Sequence, residues 1–143
     1  MEISEARDIT DQLVDAFKHL IPQLSVSCAI PSKTELQEIV NSANIILFLA
    51  IEDSRIVGTL SLVVFRIPTG TRAWIEDIVV DEAVRRQGIG TSLITKALHR
   101  AKKMGAKTVD LTSRPERKAA NRLYKNMGFL PRQTNVYRYT ILK

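Results

Sequence analysis

The stretch from Trp74 to Ser92, WIEDIVVDEAVRRQGIGTS, constrains the fold more than any other part of the chain. Residues 74–80 are apolar apart from Glu76 and Asp77, as in a largely buried strand. A short charged turn follows, and then Arg85-Arg86-Gln87-Gly88-Ile89-Gly90 opens a new period. From there Ile89, Leu93, Ile94, Ala97, Ala101 and Met104 fall on one helical face, with Gly105 placed to stop the helix. The next strand-like run, Lys107 to Thr112, must lie parallel to its predecessor because a helix intervenes. Upstream, Ile45–Ile51, Ile56–Ile67 and Trp74–Val80 are joined by the short turns Glu52–Arg55 and Pro68–Thr71, the spacing of an antiparallel meander. The chain is therefore expected to be α+β, a mixed sheet with an antiparallel meander followed by one parallel crossover. A glycine loop between a strand and a helix N-terminus also suits phosphate. Backbone N–H groups converge there and the helix dipole adds partial positive charge.

The remaining segments read as follows. Residues 2–6 suit a short first strand. Ile9, Leu13, Phe17 and Leu20 recur at helical spacing, with Asp8 as a candidate N-cap and Pro22 as a stop, leaving 23–31 as loop. Ser32 and Glu35 form a capping box for a second helix that breaks at Asn41–Asn44, and Gly58 suggests a bulge. Ser113-Arg114-Pro115-Glu116 offers another capping box, leading into a helix that ends at Gly128. Phe129 to Ile141 has room for a final hairpin. With no repeats or linkers, residues 1–143 read as a single domain.

Composition narrows the function. No apolar run approaches the roughly 18 residues that a bilayer demands. The N-terminus is acidic and polar, unlike a signal or transit peptide, and a single cysteine, Cys28, fits a reducing compartment; the expected location is the cytoplasm. Two histidines and one cysteine make no plausible metal site. Residues 1–84 hold 6 Lys/Arg against 13 Asp/Glu, a net of −7, whereas residues 85–143 hold 15 against 2, a net of +13. The split allows either two solvated faces of opposite sign or a polyanion held by the second half and a cation drawn by the first. Nucleic acid is a disfavoured polyanion here, because aromatics make up only 6% of the chain and no basic run is interleaved with them.

The glycine loop alone is a modest signal. Leu93 stands where a dinucleotide fingerprint would have its third glycine, and no Gly-Lys-Ser/Thr follows. A second motif, Ala120-Asn121-Arg122-Leu123-Tyr124-Lys125-Asn126-Met127-Gly128-Phe129, changes its meaning. Together, Arg85-x-x-Gly88-x-Gly90 and Leu123-Tyr124-x-x-x-Gly128-Phe129 resemble the signature of the GCN5-related N-acetyltransferase (GNAT) superfamily, and the order of elements resembles its acyl-CoA acyltransferase fold. The resemblance implies an acetyltransferase using acetyl-CoA. It places the pyrophosphate on backbone amides around Arg85, Arg86, Gln87, Gly88, Ile89, Gly90 and Thr91, and the pantetheine arm along Ile78, Val79 and Val80. A backbone N–H there would polarise the thioester carbonyl. Many members carry an Asn seven residues before the helix tyrosine; this chain has Arg117 there, and Asn121 is a weak substitute candidate for contacting the cofactor.

Acetyl transfer to an amine makes its own demands. An alkyl ammonium has a pKa of about 10.4 and must lose a proton before it attacks. The resemblance makes Tyr124 the proton donor to the departing thiolate; packing alone is the other role open to it. Glu76 is the first choice for general base and Asp77 for binding the amine, although the two roles could be exchanged. On a regular strand the two alternate, so only one faces a given side. Trp74 reads as core or pocket wall, Cys28 as a buried small apolar residue, His19 and His99 as surface, and Tyr137 as strand packing, with lining of the acceptor site the other role open to it. The expected reaction is direct transfer in a ternary complex to a small cationic amine or a peptide or protein amine. The alternatives are a non-catalytic acyl-CoA-binding domain and, further off, a nucleic-acid module. Homodimers are common in the family, and nothing in these residues decides that question.

Overall fold

The computed structural model describes residues 1–142, which divide into two compact units, Met1–Leu111 and the residues from Thr112 onward. The first unit is built on a five-stranded sheet in the order β1 (Glu2–Glu5), β2 (Ile45–Glu52), β3 (Arg55–Ile67), β4 (Gly70–Val80) and β5 (Val109–Asp110). The first four strands pair antiparallel and β5 joins β4 in parallel, as the change of period predicts. Asp53 and Ser54 take φ of 50° and 63° in the two-residue β2–β3 turn, the left-handed pair whose twist matches that of a hairpin.

Helices α1 (Asp11–Leu24) and α2 (Lys33–Asn41) precede β2, and α3 (Ile89–Lys103) forms the crossover between β4 and β5. A Cβ added to Gly58 would sit 3.3 Å from Leu93 Cδ1 and 3.4 Å from Ala50 Cβ, so the face of β3 carrying Gly58, Leu60 and Leu62 is the one that α3 covers. Leu93, Ile94 and Ala97 are fully buried along α3. On the opposite face Leu13, Phe17, Ile21 and Leu36 from α1 and α2 pack with Leu47 and Leu49 of β2 in one cluster. Removing a leucine side chain from either layer should cost about 2–5 kcal/mol.

Four expectations need correction. Thr10, not Asp8, caps α1, its hydroxyl accepting from Leu13 N–H at 3.1 Å. Pro22 does not stop α1: the helix runs on to Leu24, and Ser25 N–H donates to Ile21 O at 3.1 Å. Proline in the last turn forfeits one intrahelical bond, which the final turn outlasts. In the second unit, Ser113 and Glu116 form no capping box; helix α4 (Lys118–Asn126) starts after Arg117 with no side-chain cap, and Ser113 Oγ is buried without a hydrogen-bond partner. Residues 129–142 hold no strand, and Val136, Tyr137, Tyr139 and Ile141 stay exposed rather than burying one face of a hairpin. The Ser32–Glu35 capping box forms in full, Gly105 and Gly128 follow the ends of α3 and α4, and a bulge interrupts the ladder between Gly58 and Ile56.

Candidate active site

Strand β4 carries both expected acids, and its middle is irregular. Thr59 pairs with Val79 and Ser61 with Glu76, so Leu60 alone faces the two residues Asp77 and Ile78. Asp77 takes the left-handed φ of 49° that such an extra residue needs. Aspartate tolerates this conformation better than most residues. The bulge overturns the expectation that the two acids must point to opposite sides. Glu76 lies across from Ser61, and Ser61 and Asp77 line the same cavity. Both acids are exposed.

That cavity has a volume of about 310 Å³ and lies on the α1/α2 side of the sheet. Phe17, Ile21 and Leu24 of α1, Leu36 and Ile39 of α2, and Leu47 of β2 form its apolar walls. Cys28, Ala29 and Pro31 border it from the connection between the helices, and Cys28 is exposed there instead of buried as expected, because residues 26–30 of that connection all lie on the surface. Thr59, Ser61 and Asp77 supply its polar floor, and the Thr59 hydroxyl is already donated to Phe48 O at 2.9 Å. Sequence reasoning found Asp77 and missed the rest. The wall is assembled from segments up to 60 residues apart, and no local pattern marks it.

On the other edge of β4, β5 pairs at Ala73 and Trp74 only. Among the described residues no strand pairs with that edge at Ile78, Val79 and Val80, and an unpaired strand edge is one that an extended ligand can join. Val80 O accepts from Arg85 Nε at 2.9 Å, folding the loop back on the strand end. Arg86 is left-handed at φ 66°, and Gly88 at φ 79° caps α3. The first helical bond there runs from Ser92 N–H to Gly88 O at 3.0 Å, leaving the N–H groups of Ile89, Gly90 and Thr91 without a backbone acceptor. Nothing lies within 4 Å of the position a Gly88 Cβ would take. Ile89 is buried and anchors the turn, whereas Arg85, Arg86, Gln87 and Thr91 are exposed. Amides without a backbone acceptor, with two exposed arginines in the same loop, fit a pyrophosphate.

A further group at this junction escaped the sequence reading. Asp81 is only 3% exposed and directly follows β4. Its carboxylate accepts from Ala83 N–H at 3.2 Å and from Gln23 Nε2 at 3.4 Å, and pairs with His19 Nε2 at 3.1 Å. Gln23 Oε1 in turn accepts from Glu82 N–H at 2.8 Å. Burial, the largest single influence, pushes the Asp81 carboxyl up; the Ala83 N–H, His19 and Gln23 together outweigh it and hold the carboxyl below its usual range. The last turns of α1, part of the cavity wall, are thus tied to the start of the glycine loop. An aspartate directly after an apolar strand run, where a turn begins, was the available signal.

In the second unit Tyr124 is buried. Desolvation raises its phenol above the ordinary value of 10.0, against a smaller opposing effect of the Arg117 charge, so the hydroxyl holds its proton at neutral pH. Asn121 Nδ2 donates to Arg114 O at 2.9 Å and braces the approach to α4. Both Asn121 and Arg117, the residue at the usual asparagine position, serve the start of this helix.

Residues 13–129 match the model of the Acetyltransferase (GNAT) family. An uncharacterized N-acetyltransferase of Methanocaldococcus jannaschii is 47% identical over 57 residues, covering 40% of this chain and 25% of that protein. Human N-alpha-acetyltransferase 30 is 37% identical over 68 residues, covering 48% of this chain and 18% of that protein. The matched region thus spans a quarter or less of these relatives' length. Among solved structures, an aminoglycoside acetyltransferase from an uncultured soil metagenomic sample, in complex with trehalose, superposes with a TM-score of 0.80 at 26% identity, covering 99% of this chain and 96% of that one.

Proposed function

The chain belongs to the GNAT acetyltransferase family, and from that premise we propose that it moves an acetyl group from acetyl-CoA to a primary amine by direct attack in a ternary complex. The observation that carries this reading is the Gly88 turn, where the first amides of α3 have no backbone acceptor among the described residues, following a bulged strand that carries Glu76 and Asp77. When bound, acetyl-CoA supplies an activated acyl carbon. The amides of Ile89, Gly90 and Thr91, with Gln87, Gly88 and the Arg85 and Arg86 charges, hold its pyrophosphate. The free edge at Ile78, Val79 and Val80 takes the pantetheine arm and offers an N–H to the thioester carbonyl. Asn121 has its side-chain carbonyl to offer the same arm.

Asp77 binds the acceptor ammonium, and Glu76 takes its proton directly or through one water. As the new C–N bond forms and the C–S bond breaks, Tyr124 passes its phenolic proton to the sulfur. The new amide nitrogen gives up its second proton, which restores Tyr124 through solvent, and solvent removes the one on Glu76, so the net reaction releases one thiol and one proton. The 310 Å³ cavity gives the group that carries the amine an apolar wall opposite Asp77. The single cysteine and the absence of a membrane-crossing helix among the described residues support a cytoplasmic setting.

The test is thiol release from acetyl-CoA against a panel of amines, alongside direct binding of acetyl-CoA. Binding together with amine-dependent thiol release is the expected result. Binding without turnover on any amine would sink the catalytic part of the reading.

A further inference from the structure

Resting on the reading above, the composition of the cavity goes further and narrows the acceptor. We infer that the acceptor is a primary amine carried on an uncharged apolar group, and not a polycation or an amino-sugar phosphate. Among the described residues lining the cavity, Asp77 alone is charged. It lies on the sheet floor beside Ser61, while the opposite walls are Phe17, Ile21, Leu36 and Ile39. An ammonium at Asp77 therefore places whatever it is attached to against hydrocarbon. A second ammonium would be stripped of water there with no second carboxylate in the lining to meet it, Glu76 being engaged with the reacting amine, and burying an unpaired charge is costly. A phosphate would find no basic side chain in the wall.

The volume agrees with this class. At about 30 Å³ for each water-sized group, 310 Å³ holds roughly ten such groups, the size of one apolar side chain with its amine. The bordering segment is itself apolar. Val26 is 95% exposed and Ile30 44% exposed on either side of Cys28, an unpaired set of hydrophobic surfaces beside the cavity. An amine at the N-terminus of a peptide with an apolar first residue and a free aralkyl amine present the same chemistry to this cavity. They differ in whether the chain beyond the first residue adds binding.

Cys28 provides a reporter independent of turnover, because it is the chain's single cysteine, is exposed, and borders the cavity. Its alkylation by iodoacetamide, followed by intact mass, should slow at least about threefold with saturating leucinamide or phenethylamine, as expected for displacement of reagent from an occupied cavity. Spermidine and glucosamine 6-phosphate should leave it unchanged. In the thiol-release assay, kcat/KM for leucinamide should exceed that for spermidine by about tenfold or more, the discrimination that burial of one apolar side chain yields. A Leu-initiated tripeptide that exceeds leucinamide identifies the peptide source, and equality identifies the free amine. Cys28→Phe, which fills the cavity from its rim and spares the core, should lower kcat/KM for the apolar amines while acetyl-CoA binding is unchanged. Equal or stronger protection by spermidine, or none by either apolar amine, overturns the inference. Acetyl-CoA binding with preferred turnover of a polycation overturns it alone, whereas failure of acetyl-CoA to bind removes the parent reading and leaves the protection result to decide this one.

Discussion

The rings of Tyr124 and Phe129 meet edge to face, their centroids 5.9 Å apart and their planes at 63°. Phe129 N–H donates to Tyr124 O at 3.0 Å and Gly128 N–H to Lys125 O at 3.1 Å, the paired bonds of a Schellman stop. Tyr124 and Phe129 supply the hydrophobic contact that accompanies such a stop, and Gly128 its left-handed residue at φ 98°. Most of the Leu-Tyr-x-x-x-Gly-Phe string is therefore accounted for by helix termination. What that leaves for chemistry is the Tyr124 hydroxyl.

Tyr124→Phe separates the two roles. It keeps the ring contact, so thermal stability should change little, while turnover should fall by about 10²- to 10⁴-fold, the range for a lost general acid. Because the Tyr124 phenol lies above its ordinary value of 10.0, the stability gained from its neutral form is complete below about pH 10 and is lost as pH rises through the raised value. Unfolding midpoints from pH 8 to 11 for both proteins check the second point, and steady-state rates the first.

Gly128→Ala should destabilise by roughly 1–2 kcal/mol, the cost of placing a Cβ in the left-handed region. Nothing lies within 4 Å of the added atom, so the cost is backbone strain alone. Denaturant melts should show a shifted midpoint with an unchanged slope.

Gly88→Ala carries a similar strain, at φ 79° and again with open space around the added atom. It should in addition weaken acetyl-CoA binding by about tenfold, because the turn that presents the amides of Ile89 to Thr91 must shift. Titration calorimetry on both glycine variants is the comparison. Equal affinities would remove the loop from the cofactor site.

Asp81→Asn should cost roughly 1–3 kcal/mol at neutral pH, since charged acceptance from Ala83, Gln23 and His19 is lost. The folded carboxyl is held below its ordinary 3.8, so its stabilisation is present above that pH and disappears as pH falls through the lowered value. The gap between wild-type and variant melting temperatures should accordingly narrow below about pH 4.

Signals confined to a few residues were legible: the Ser32–Glu35 box, the Glu52–Arg55 turn and both helix-ending glycines. Each depends on atoms within about one turn of one another. Errors arose where a local preference met tertiary structure. Pro22 reads as a stop, yet the packing of Leu20 and Ile21 carries α1 past it. Ser113-x-x-Glu116 has the letters of a capping box, yet the residues there turn through Arg114 O and Glu116 O instead. The glycine loop was visible because it is contiguous. The cavity was invisible because its walls come from α1, α2, β2, β3 and β4.

The residue added at Asp77 has one more consequence, a matter of parity. Ile75 sits opposite Leu62 on the layer that α3 covers, whereas Val79, also odd-numbered, sits opposite Thr59 on the other layer. Odd and even exchange meaning halfway along β4. Deleting one residue there would act as a frameshift in space, turning every side chain before the cut over relative to those after it. The strand thus tolerates substitution far better than it tolerates a change of length.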